Sequence, residues 1–122
     1  MVFCFASAAQ SKNDGTMPLY DRLTGMSASL KINSIGYANA QGTAATEPGY
    51  NVAVTVELQQ FDDGWTTIKS YTSSGSGVLG AKPYIKMFVS HGMYQAKVTA
   101  KVTDANGKHI ETQTAFSQVV TY

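Results

Sequence analysis

The chain has 122 residues and a mass of 13.0 kDa, with nine Lys and Arg against eight Asp and Glu for a net charge of +1 and a charged fraction of only 14%. Its basic residues fall singly along the sequence, which excludes the electrostatic footprint that nucleic acid or an anionic membrane surface requires. Cys4 is the one cysteine, so no disulfide within the chain supports the fold, and a single domain of this size must stand on its apolar core.

Residues 1–9 form an apolar stub carrying Ala6-Ser7-Ala8, the small residues that a signal peptidase accepts, and read as the residual tail of a secretory signal. The expected location is therefore secreted or cell envelope. The stub is short and lacks a positive n-region, which fits either a start placed too far downstream or a frayed terminus. Phe3 argues against a lipid anchor on Cys4, and no apolar run approaches the ~18 residues of a spanning helix, so membrane insertion is not expected. Residues 10–25 are polar and irregular, with Asp14-Gly15 and Pro18 as breakers, and read as a leader that straps onto the domain through Leu19, Tyr20 and Leu23.

From residue 26 to 122 the hydrophobic period is two. Met26, Ala28, Leu30 and Ile32 alternate with polar residues, as do Val52, Val54, Val56 and Leu58, and again Ala96, Val98, Ala100 and Val102. Weaker strands are expected over 36–43, 65–73, 84–89 and 108–120. Seven strands separated by turn signals make an all-β, two-sheet antiparallel sandwich.

Two hairpins have a readable register, because each pair of alternating runs is joined by three residues ending in glycine: Asp62-Asp63-Gly64 and Ala105-Asn106-Gly107. Setting Phe61 against Trp65 puts Leu58 opposite Ile68 and Glu57 opposite Lys69. Setting Asp104 against Lys108 puts Val102 opposite Ile110, Ala96 opposite Phe116 and Lys101 opposite Glu111. Apolar then meets apolar on the inner face and charge meets opposite charge on the outer one. The glycine-rich stretch from Ser73 to Lys82 reads as a mobile crossover without regular strand.

The stretch Gly92-Met93-Tyr94-Gln95-Ala96-Lys97-Val98-Thr99-Ala100-Lys101-Val102-Thr103-Asp104-Ala105-Asn106-Gly107-Lys108 resembles the last hairpin of polycystic-kidney-disease-like and bacterial immunoglobulin-like domains. That resemblance implies an immunoglobulin-like sandwich in which Tyr94 is the corner tyrosine near the start of strand F, its hydroxyl bonding back to nearby backbone. With Ser27-Ala28-Ser29-Leu30 and Trp65-Thr66-Thr67-Ile68-Lys69-Ser70-Tyr71, the pattern after Leu19 resembles a family of small exported Firmicutes proteins known as a domain of unknown function. The chain departs from the antibody pattern in having no disulfide pair and no strand-C tryptophan.

Phe61, Trp65 and Tyr71 have the same outward parity in the unbroken register and would form an aromatic strip able to stack sugar rings. The structural alternative for Phe61 and Trp65 is a cross-strand clamp on the hairpin or a position beneath the leader. Tyr84 and Phe88 share an outward parity on the following strand. Asp62, Asp63, Asp104 and Asn106 read as turn residues rather than calcium ligands, with Gly64 and Gly107 in structural roles, because two carboxylates per loop fall short of six to eight oxygens. His91 and His109 read as surface residues, and the Gly75-Ser76-Gly77 stretch lacks the strand-turn-helix setting of a nucleophile elbow.

Together these readings describe an extracellular or cell-envelope immunoglobulin-like module with no catalytic role, no cofactor and no metal. It would work by protein contact, or as a spacer, through its sheet faces and end loops. The alternative from another class is a carbohydrate-binding module using Phe61, Trp65 and Tyr71. The expected partner is a protein or glycan at the cell surface, and a homo-oligomer is compatible with the same surfaces.

Overall fold

The computed structural model describes residues 21–122, so the signal tail expected at 1–9 and most of the leader expected at 10–25 lie outside the described residues. Eight strands follow in chain order: β1 (Leu23–Ile32), β2 (Tyr37–Thr46), β3 (Asn51–Phe61), β4 (Trp65–Ser76), β5 (Tyr84–Phe88), β6 (Met93–Thr103), β7 (His109–Phe116) and β8 (Val120–Thr121). They make two antiparallel sheets, one ordered β1-β2-β5 and the other β4-β3-β6-β7, with β8 completing the second beside β6. The chain is an all-β, two-sheet sandwich. β1 starts at Leu23, which is buried, so the last residues of the 10–25 segment belong to the sheet.

The core follows from the alternation. Val52, Val54, Val56 and Leu58 of β3 pair with Val102, Ala100, Val98 and Ala96 of β6, and all eight are buried. Across the gap, Leu30, Ala38, Ala40 and Ile85 line the smaller sheet. Its middle strand carries Ala38, Ala40, Gly42 and Ala44 at alternate positions, and these small residues let the sheets approach closely. A Cβ on Gly42 would sit 2.8 Å from both γ-carbons of buried Val98. Burial of each Val or Leu contributes roughly 1.5–3 kcal/mol, so this paired set dominates stability.

Both hairpins close as their loops dictate, but neither keeps the unbroken register. Phe61 faces Trp65 and Gln59 faces Thr67, then Leu58 faces Lys69, so Ile68 is the extra residue of a β-bulge. Thr103 faces His109, then Val102 faces Glu111, so Ile110 is the extra residue of a second bulge. The expected pairs Leu58–Ile68, Val102–Ile110 and Ala96–Phe116 are therefore displaced by one position. The two expected cross-strand ion pairs are absent too: Glu57 lies opposite Ser70, and Lys101 opposite Thr112. The physical reason is the small scale of such pairs. A surface ion pair worth ~0.2–1 kcal/mol reports a register without imposing one.

The stretch from Ser73 to Lys82 also differs from expectation. β4 continues to Ser76, and the segment beyond it is tied by Gly77 N–H to Tyr50 O, Thr46 N–H to Gly77 O, and a reciprocal pair between Ala44 and Ala81. The glycines serve close packing of backbone on backbone. A Cβ on Gly75 would lie 1.8 Å from the carbonyl oxygen of Gly80, and one on Gly80 would lie 1.9 Å from that of Ala44.

Candidate functional site

A side chain's face in a sheet follows from its register, because directly opposed residues share a face. Phe61 and Trp65 lie on the outer face of the five-stranded sheet, with ring centroids 5.3 Å apart at an interplanar angle of 69°. Tyr71 does not join them. It lies opposite Val56, an inward residue, because the bulge at Ile68 reverses the parity of the rest of β4. Tyr71 remains exposed, since β4 is the edge strand and carries little above it. The expected strip along one strand is thus broken after Trp65.

The second bulge adds a ring that the unbroken register hides. Phe116 lies opposite Lys97, an outward residue of β6, instead of facing inward against Ala96. Phe61, Trp65 and Phe116 expose 43, 37 and 42% of their surface, so they mark the outer face without being part of the core. Trp65 and Phe116 line one depression of about 440 Å³, together with Gln59, Gln95 and Lys97.

The floor of this depression is preorganised. Gln95 Nε2 donates to Gln59 Oε1 at 2.7 Å, Gln59 Nε2 donates to Thr67 Oγ1 at 3.2 Å, and Thr67 Oγ1 donates to Glu57 Oε1 at 2.7 Å. This chain crosses three strands and holds both amides in fixed orientation; Gln59 and Gln95 are each 8% exposed. Lys97 lies opposite Glu57 on the same face, so one cation balances one anion. Farther along, Thr55 and Thr72 bond through their hydroxyls at 2.7 Å, and Ala53, Thr99, Lys101, Thr112 and Thr114 share the face. Sequence reasoning missed the Gln59–Gln95 pair because it depends on β3 and β6 being neighbours, and strands separated by other elements carry no turn to declare their pairing.

The remaining candidates have structural work. Tyr94 is buried, and its hydroxyl donates to the carbonyl of Ser90 at 2.7 Å, fixing the entry to β6. Gly64 and Gly107 have φ of 131° and 85°, and Asp63 shares the left-handed region at 59°. Asp104 Oδ1 accepts from the backbone N–H groups of Asn106 and Lys108, both at 2.9 Å, the bonding of a turn residue. His91 stacks on Tyr122 with centroids 4.3 Å apart, and His109 bonds Thr112. Tyr84 and Phe88 are exposed on the outer face of the smaller sheet, where Phe88 packs against Tyr37. Val78 and Leu79, not singled out from sequence, stand almost fully exposed at the tip of the turn after β4.

Among the described residues, Glu111 has the one shifted ionisation. Burial pushes its pKa up, but its carboxylate accepts from the backbone N–H of Arg22 and of Leu23 at 2.6 and 2.9 Å and from the Gln113 amide at 3.1 Å. The net effect holds it below the ordinary carboxylate range. It clasps the start of β1 onto β7. Among the described residues no helix is long and apolar enough to cross a membrane, and no group of three or more His, Cys, Asp or Glu is gathered as a metal would require.

No protein-family model matches this chain, and no curated protein matches it.

Proposed function

We propose that this chain is an extracellular or cell-envelope module of the immunoglobulin-like kind that acts by binding, through the outer face of its five-stranded sheet at the end bearing Phe61, Trp65 and Phe116. The immunoglobulin-like reading is supported by the division into a β1-β2-β5 sheet and a β4-β3-β6-β7 sheet, and by the Tyr94 hydroxyl bonded back across the corner before β6. Export is supported by the Ala6-Ser7-Ala8 pattern.

One observation carries the choice of face. Three partly exposed rings gather at one end of a largely polar sheet surface, and two of them, Trp65 and Phe116, line a depression whose floor is already ordered. Exposed aromatics scattered singly are ordinary, whereas a group set around a concave polar floor is the usual composition of a binding site. The purified chain should sediment with envelope fractions of the producing organism. Trp65→Ala and Phe116→Ala should each reduce that binding by about tenfold or more, equivalent to roughly 1.4 kcal/mol, with Tyr71→Ala unaffected. Absence of binding, or equal binding by all three variants, contradicts the reading.

A second reading, protein contact through an end loop, is favoured by Val78 and Leu79, which present apolar surface beside a depression lined by Met26, Ala44 and Ala45. Leu79→Ser separates the two, because it should leave binding intact if the sheet face is the contact surface.

A further inference from the structure

Resting on the binding face proposed above, we infer that its ligand is a neutral polysaccharide, with pyranose rings lying against Trp65 and Phe116 and their hydroxyl groups bonded to Gln59 and Gln95. The floor of the depression disfavours two other classes of ligand. Gln59 and Gln95 present planar amides at the bottom of the depression, already oriented by Thr67 and Glu57. An apolar protein patch pressed onto them would strip their water without replacing its hydrogen bonds, at about 1–3 kcal/mol for each group left unpaired. An extended single-stranded nucleic acid would find rings to stack on but no cationic groove for its phosphates, since Lys97 lies opposite Glu57.

A sugar chain satisfies both halves of the surface at once. The C–H face of a pyranose lies flat on an aromatic ring, and its vicinal hydroxyls each donate and accept, which matches an amide that offers one N–H group and one carbonyl in a single plane. The rings stand on opposite sides of the amides, Trp65 on β4 and Phe116 on β7, so the ligand spans the sheet across its strands. This placement calls for a chain of several sugars. Charge selects the class: Lys97, the one cation lining the depression, lies opposite Glu57, and no second cation lines it to hold the repeating carboxylates or sulfates of an acidic polymer, so a neutral one fits better.

The test uses affinity electrophoresis of the full chain in gels containing amylose, xylan, galactomannan or hyaluronan. At least one of the three neutral polymers should retard it, and hyaluronan should not. Gln95→Leu, which keeps side-chain bulk and removes the amide, should weaken retardation tenfold or more, as should Phe116→Ala, whose exposed ring can be removed without opening the core. Tyr71→Ala should migrate as the parent does. Retardation by hyaluronan, by none of the polymers, or at the parent's strength in Gln95→Leu or Phe116→Ala overturns the inference. Treating the envelope fraction separates this outcome from failure of the binding face itself. Loss of binding after periodate oxidation, with survival after protease, supports a glycan. Loss after protease, still dependent on Trp65 and Phe116, overturns the glycan while leaving the face in use, and no envelope binding at all removes both.

Discussion

The β3–β4 and β6–β7 hairpins share a construction and differ in outcome. Each has a three-residue loop ending in glycine and then a β-bulge built on an isoleucine, Ile68 or Ile110. After its bulge β4 turns Lys69 and Tyr71 to the side that should be core, yet it is the edge strand and both remain exposed. After its bulge β7 turns Glu111 the same way, but there the start of β1 lies close enough for the carboxylate to clasp Arg22 and Leu23. One bulge removes an aromatic ring from the outer face and the other supplies one. A bulge changes which side chains are available for binding without changing the fold around them.

The comparison can be broken most severely at the residue facing the first bulge. Leu58→Ala should destabilise the chain by roughly 2–5 kcal/mol in urea unfolding, because Leu58 is wholly buried whatever lies opposite it. A loss below about 1 kcal/mol would mean that the core is not where the alternation puts it.

The equivalent positions just after the bulges sharpen the contrast. Glu111→Ala should cost about 1–3 kcal/mol by leaving two backbone N–H groups without their acceptor, whereas Lys69→Ala should stay within about 0.5 kcal/mol. The clasp is also sensitive to pH. Its carboxyl binds a proton less readily in the folded state than in the unfolded one. Its contribution is therefore complete above the ordinary Glu pKa of ~4.3 and fades as the pH falls through the lower folded value. Glu111→Gln should flatten this part of the acid-unfolding curve, and an unaltered curve would show that another group controls it.

The bulge residues themselves should differ by less. Ile110 packs partly against the core and Ile68 is more than one-third exposed. Ile110→Ala is expected to cost ~1–2 kcal/mol, a discounted core truncation, and Ile68→Ala under ~1 kcal/mol; equal losses would erase the distinction between the hairpins. The smallest stability effects belong to Tyr71→Ala and Phe116→Ala, each within about 0.5 kcal/mol by thermal unfolding. These two variants nevertheless should separate tenfold or more in binding.

How far the sequence could be read follows the same division. The alternating Val, Leu and Ala runs of β3 and β6 and the two glycine-terminated loops are local signals, and each corresponds to an element or turn in the structure, whereas the bond from Tyr94 to Ser90 was expected only from the resemblance of the 92–108 stretch. The bulges are not local signals. Glu57 with Lys69 and Lys101 with Glu111 look complementary in the unbroken register, so nothing in those pairs announces the slip. A clue lies in β4 after Trp65, where neither parity carries a continuous apolar set, as expected of an edge strand with little to pack against. The candidate site was half legible: Phe61 and Trp65 stand on the outer face as read, Tyr71 does not, and Phe116, Gln59 and Gln95 depend on pairings that only the assembled sheet defines.

The most direct measurement is the set of cross-strand nuclear Overhauser contacts at the two aromatic positions beyond the bulges. Backbone contacts pairing Tyr71 with Val56 and Phe116 with Lys97 are the result this account requires. Contacts pairing Tyr71 with Thr55 and Phe116 with Ala96 would restore the unbroken register, turn Phe116 inward, and dismantle the proposed binding face.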